Sequence, residues 1–142
     1  MNLQIITNEN DLEKAYKIRR TVFVLEQNCP PEEEFDHLEE VSAHFLLKDG
    51  EEAIGAARFR DYNGVGKLER ICVLADKRKT GAGKTIVLGI EDYARQKGYT
   101  SFFLNSQVQA IPFYEKLGYE VCSDIFMDAG IPHKSMKKTI TH

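Results

Sequence analysis

Val73-Leu74-Ala75-Asp76-Lys77-Arg78-Lys79-Thr80-Gly81-Ala82-Gly83-Lys84 joins an apolar run to a stretch with helical spacing, and it carries two glycines separated by one small residue. On its N-terminal side, residues 68–74 read as a strand interrupted by Glu69 and Arg70, which sets the ends of the strand near solvent or a site. On its C-terminal side a helix begins at about Gly83, with Ile86, Val87, Ile90, Tyr93 and Ala94 on one face and Gly98 as its stop. Such a loop lets backbone N–H groups converge at the positive end of a helix dipole, which suits a phosphate. Gly81 and Gly83 allow backbone angles and a close approach that a Cβ would obstruct. Arg78, Lys79 and Lys84 add positive charge. The segment therefore reads either as a pyrophosphate cradle or as a helix start with flexible residues and solvated lysines beside it.

The rest of the chain extends this strand–loop–helix unit. Residues 3–6 read as a first strand. Asn8, with Asp11 three residues later, starts a helix in which Leu12, Ala15, Tyr16, Arg19, Val22 and Phe23 follow at helical spacing until Pro30-Pro31. Residues 43–47 and 53–59 form strands joined by a tight Asp49-Gly50 turn, and Gly64-Val65-Gly66 turns the chain into the 68–74 run. Beyond Gly98 come a short buried strand at 101–104 and a short helix holding Phe113, Tyr114 and Leu117, which Gly118 stops. Pro112 fits only the first turn of that helix. Residues 121–127 and 135–138 complete the pattern as strands. The order predicts one domain over residues 1–142, a mixed sheet with helices packed on it.

Composition excludes several classes. Apolar residues at 42% and charged residues at 29% are ordinary for a globular chain, and a net charge of −3 opposes sequence-independent nucleic-acid binding. No run approaches the roughly 18 apolar residues needed to span a bilayer. The N-terminus lacks the basic start of a secretory signal. Cys29, Cys72 and Cys122 are odd in number and widely spaced, which shows neither a disulfide framework nor zinc-type spacing. The expectation is a cytoplasmic protein with reduced thiols and no metal.

Two familiar phosphate motifs fail on inspection. Gly83-Lys84-Thr85 supplies the end of a Walker loop, but Arg78 stands where its first glycine belongs, and Ile86 occupies the third glycine position of the dinucleotide fingerprint. What remains, Arg78-x-x-Gly81-x-Gly83, resembles the acetyl-CoA loop of the GNAT acetyltransferase family. Phe113-Tyr114-Glu115-Lys116-Leu117-Gly118-Tyr119 resembles that family's closing signature, a tyrosine on a short helix followed by glycine and an aromatic strand start. The segments 22–27, 33–36, 68–73 and 129–133 are similar to the small bacterial members of the YjcF and ElaA type, so the resemblance covers nearly the whole chain. It implies an α/β fold of the α+β kind: a mixed, mostly antiparallel sheet of about six or seven strands flanked by about four helices.

The resemblance also implies an enzyme that carries an acetyl group from acetyl-CoA directly to a primary amine. Residues 78–84, that is Arg78, Lys79, Thr80, Gly81, Ala82, Gly83 and Lys84, would hold the pyrophosphate. Main-chain groups of Ile71, Cys72 and Val73 would hold the pantetheine arm. The Tyr114 hydroxyl would lie near the cofactor sulfur, and Phe113 beside it reads either as a cofactor-binding residue or as core packing. Many family members carry Asn seven residues before this tyrosine; here that place holds Gln107, with Asn105 two residues earlier, and either could do that work.

An amine with a pKa near 10.4 is almost wholly protonated at neutral pH, and deprotonating it costs roughly 4–5 kcal/mol, so a base is useful. Glu69 is the first candidate, on a face shared with Ile71 and Val73 if the strand alternates simply; the other reading is a structural pair with Arg70 or Arg58. His133 is a second candidate base. Direct transfer needs no nucleophile from Cys72. Glu26, Glu34 and Asp36 belong to the most acidic part of the chain, which carries no Lys or Arg between Glu26 and Glu40. It reads either as a solvated face or as an attraction for a cationic acceptor. The partners expected are a small-molecule or peptide amine, with no nucleic acid and no membrane, in a monomer or homodimer. The competing classes are a non-catalytic acyl-CoA-binding or sensor module and a nucleotide-binding protein.

Overall fold

The computed structural model describes residues 1–31 and 38–140. Its strands are β1 (Asn2–Ile5), β2 (Ala43–Asp49), β3 (Glu52–Tyr62), β4 (Val65–Val73), β5 (Ser101–Gln107), β6 (Glu120–Val121), β7 (Phe126–Asp128) and β8 (Ile131–Thr139). They form one sheet in the order β1-β2-β3-β4-β5-β8-β6, with β7 also paired to β8. Every pairing is antiparallel except that of β4 with β5. Among the described residues there are three α-helices: α1 (Glu9–Arg19), α2 (Ala82–Gln96) and α3 (Ile111–Lys116).

Local chemistry explains most of the element ends. Asn8 caps α1, its Oδ1 accepting from the Asp11 amide at 2.8 Å. The helix then widens into a π-helical extension, Arg20–Glu26, a rare conformation that is frequent at functional sites. Pro112 sits in the first turn of α3, where its missing N–H costs nothing. The β3–β4 hairpin turns at Asn63-Gly64, both with positive φ (53° and 87°), as a two-residue primed turn requires. The expected turn at residues 64–66 is thus displaced, and Gly66 lies inside β4. The single strand expected over 121–127 divides into β6 and β7.

The two faces of the sheet are covered differently. Ala15, Ile18 and Val22 from α1 and its extension meet Leu46, Ala56 and Cys72 on one face. Ile86, Val87, Ile90 and Ala94 from α2 meet Phe45, Leu47, Phe59 and Leu68 on the other. Phe102 and Leu104 of β5 and Tyr114 of α3 continue that second core. A side chain such as Ile90, with no exposed surface, is worth about 2–5 kcal/mol against truncation to alanine. This core fixes the positions of α2 and α3 against β4 and β5, and the cleft lies where they meet.

Candidate active site

β4 and β5 hydrogen-bond only at their starts, Gly66 opposite Phe102 and Lys67 opposite Phe103, and then part. On the other edge of β4 the register with β3 slips between Ala56 and Arg58, and Arg70 takes a left-handed φ of 56°. A bulge of this kind bends its strand and increases the local twist; β4 leaves β5 just before it. The bulge also reverses the alternation expected of β4. Val73 and Ile71 join the core beneath α2, Cys72 joins the core beneath α1, and Glu69 lies opposite Arg58. Glu69 therefore does not share a face with Ile71 and Val73.

A cavity of ≈ 190 Å³ is lined by residues of the parted strands, among them Glu69 and Ile71 from β4 and Asn105 and Gln107 from β5, with Tyr114 and His133 closing it. A second cavity of ≈ 280 Å³ is lined by Ile71, Cys72, Val73, Arg78 and Phe113, beside the glycine loop. Phe23, Gln27, Ile71, Gln107 and Ala110 belong to both walls.

The loop between β4 and α2 has the geometry of an anion site. Gly81 adopts φ 87°, a left-handed conformation that costs other residues about 1–2 kcal/mol. Thr85 closes the first helical turn, its amide and hydroxyl both donating to the Gly81 carbonyl. The amides of residues 79–84 make no hydrogen bond among the described residues, so they remain available at the N-terminus of α2. Lys79, Thr80, Gly81 and Lys84 are exposed, and Ala82 is buried beneath them. At Gly83 a Cβ would stand 3.1 Å from the Phe113 ring, so this glycine admits α3 against α2.

Arg78 is engaged otherwise. Its Nε donates to the Val73 carbonyl at 2.9 Å, and its two terminal nitrogens donate to the two oxygens of Glu26 at 2.7 and 2.9 Å. The Arg78 contact holds the Glu26 carboxyl below the usual carboxylate range. Arg78 thus ties the loop to β4 and to the end of the π-helical extension, and Glu26 is not a free anion for an acceptor. Glu34 and Asp36 lie outside the described residues.

Glu69 is the centre of a cationic cluster. Its Oε1 accepts from Arg58 Nη2 at 3.0 Å and Arg60 Nε at 2.8 Å, while Oε2 lies 3.1 Å from Lys67 Nζ. Burial pushes the Glu69 carboxyl up, but Arg58, Lys67 and Arg60 outweigh it and hold the group below its ordinary value. Arg58, wholly buried, also donates to Glu39, which accepts from Arg19 through both oxygens. Burial likewise opposes ionisation of Glu39, and Arg19 and Arg58 overcome it. Glu39 is therefore turned inward onto Arg19 and Arg58, and the pairing of Glu69 with Arg58 is present in the structure.

Tyr114 is almost fully buried, and its hydroxyl makes no hydrogen bond among the described residues. Burial, with a smaller contribution from Cys72, raises its pKa well above the ordinary tyrosine value. His133 Nδ1 donates to the Ile131 carbonyl at 2.7 Å, so Nε2 is the ring nitrogen that this contact leaves uncommitted. Asn105 Oδ1 accepts from Ser135 Oγ; Gln107 donates to Gln27 and accepts from Gln109. Of these two candidates only Gln107 lines both cavities. Gln27, Arg60 and Lys67 were not singled out from sequence. Gln27 is 80 positions from its partner, and no local pattern marks it.

Residues 11–140 match the family model described as an acetyltransferase (GNAT) domain. The chain is 50% identical over 139 residues to the uncharacterized N-acetyltransferase YjcF of Bacillus subtilis, covering 97% of this chain and 99% of that protein. Among solved structures, Escherichia coli ElaA shares the fold with a TM-score of 0.84 at 20% identity, covering 97% of this chain and 99% of that one. A GNAT family acetyltransferase of Elizabethkingia anophelis with acetyl-CoA bound does so with a TM-score of 0.77 at 14% identity, covering 98% and 97%. With its glycine loop, parted strands and buried tyrosine in this arrangement, the chain belongs to the GNAT acetyltransferase family.

Proposed function

We propose that this enzyme transfers the acetyl group of acetyl-CoA directly to a primary amine of a small molecule or peptide. The observation that carries the reading is a pair of cavities that share the wall of Phe23, Gln27, Ile71, Gln107 and Ala110, one lined by Arg78 at the start of the glycine loop and the other by Tyr114. The diphosphate of CoA sits on the open amides of residues 79–84 and beside Lys79 and Lys84. The pantetheine arm follows the second cavity along Ile71, Cys72 and Val73 and past Gln107, and the thioester enters the first cavity.

The acceptor nitrogen attacks the thioester carbonyl, a C–N bond forms, and the C–S bond breaks with departure of the thiolate. The proton of the acceptor goes to a base. His133 suits this role through Nε2, directly or through a water, because it lines the same cavity as Tyr114 while its Nδ1 is engaged by the Ile131 carbonyl. Glu69, with its carboxylate held by three cations, is a weaker acceptor and serves to fix the shape and charge of β4. Tyr114 keeps its proton and donates a hydrogen bond to the departing sulfur; a thiolate with a conjugate pKa near 8.5 needs no more.

The test is release of free thiol from acetyl-CoA against a panel of primary amines, with mass spectrometry of the product. Formation of an N-acetylated amine, reduced about tenfold by Tyr114→Phe with little change in KM for acetyl-CoA, is the expected result. Thiol release that is the same with and without every amine would overturn it.

A further inference from the structure

Two consecutive residues at the end of the π-helical extension reach the two walls of the cleft. Glu26 grips Arg78, on the loop that follows β4, through both carboxylate oxygens. Gln27 accepts from Gln107 Nε2, at the end of β5, at 2.8 Å. Since β4 and β5 are laddered only at Gly66–Phe102 and Lys67–Phe103, sheet pairing does not set how far their C-terminal ends part. Gln27 and Gln107 stand on the wall common to both cavities.

We infer that Glu26 and Gln27 form a clasp that sets the width of the β4–β5 gap, with Gln27 a positioning residue that acts through Gln107 on the pantetheine arm of the donor. The inference rests on the reading of the second cavity as the donor channel. The clasp has a defined polarity. Gln107 Nε2 donates to Gln27 Oε1, so the task of Gln27 is to accept. The half-buried Gln27 side chain makes this one hydrogen bond among the described residues, to a partner on another element. Its loss frees the end of β5 from the end of the extension. An arm threaded beneath the clasp then leaves faster, while the nucleotide half of CoA, seated on the glycine loop, is indifferent.

The experiment measures dissociation of CoA and of 3′-phospho-ADP, which lacks pantetheine, by stopped-flow displacement. The proteins are the unmodified chain, Gln27→Leu, Gln27→Glu and the double variant Gln27→Leu with Gln107→Leu, each checked by thermal unfolding. Gln27→Leu keeps the size and loses the acceptor; Gln27→Glu keeps an acceptor. The expected result is about tenfold faster CoA release from Gln27→Leu, the scale of one lost neutral hydrogen bond. Release from Gln27→Glu stays within about twofold of the unmodified rate, the double variant matches Gln27→Leu, and 3′-phospho-ADP leaves all four at the same rate. Unchanged CoA release from Gln27→Leu overturns the clasp, as does equal acceleration for CoA and 3′-phospho-ADP, which would mark general loosening. A failure of the unmodified chain to bind CoA removes the donor reading itself, and the clasp with it.

Discussion

Replacing Glu69 by glutamine separates two roles that the same residue could hold. Glutamine keeps the size and one acceptor but cannot carry charge. Arg58, with no exposed surface, then keeps its contact with Glu39, while Arg60 and Lys67, at 16% and 14% exposure, recover some water. Breaking a buried pair by removing one partner costs about 3–5 kcal/mol. The surviving Glu39 contact places Glu69→Gln at the lower end, about 3 kcal/mol. For a chain of this length that is a fall in Tm of roughly 10 °C. Differential scanning calorimetry at neutral pH measures it directly, with kcat for acetyl transfer measured in parallel at a temperature where both proteins are folded. A general base would show the opposite pattern, an intact Tm and a loss in kcat of roughly 10²–10⁴. A Tm within about 2 °C of the unmodified protein would refute the structural reading of Glu69.

Gly81→Ala meets no atom within 4 Å of its new Cβ, so its cost is the left-handed φ alone, about 1–2 kcal/mol, read as a lower urea midpoint. Tyr119→Phe removes the hydroxyl that donates to Glu91 at 2.9 Å in a buried setting; unfolding stability should drop by about 1–3 kcal/mol, while KM for acetyl-CoA stays constant. Glu39 and Glu69 titrate below their usual range in the folded chain. Their contribution is therefore fully present above the unfolded carboxylate pKa, about 4.3, and is lost as pH falls through the lower folded values. A Tm profile from pH 7 down to pH 3 should steepen on its acid side, and Glu69→Gln should flatten it; a flat profile for the unmodified chain contradicts this.

The sequence by itself determined what neighbours along the chain can decide. The Asn8 cap, the proline in the first turn of α3 and the left-handed Gly81 are each settled within a few residues, because they concern one backbone angle or one nearby N–H. The faces of α2 followed from spacing for the same reason, since helical period and burial are both local properties. The two motifs, one on either side of β5, carried the family.

Tertiary structure alone decided the rest. One extra residue in β4 sent Glu69 to the face of Arg58, and period-two alternation cannot register a bulge whose cause lies in pairing with another strand. Arg78 was expected at a phosphate and lies on Glu26, 52 positions away; the acidic segment, expected to face solvent or an acceptor, turns Glu39 inward onto two arginines. For Arg78 and Glu39 the charges were visible in the sequence and their partners were not, whereas Arg58 was one of two partners open to Glu69 and only the fold chose it. An ion pair across the sheet is set by which elements the core brings together, and its strength depends on burial, which exists only once the chain has folded.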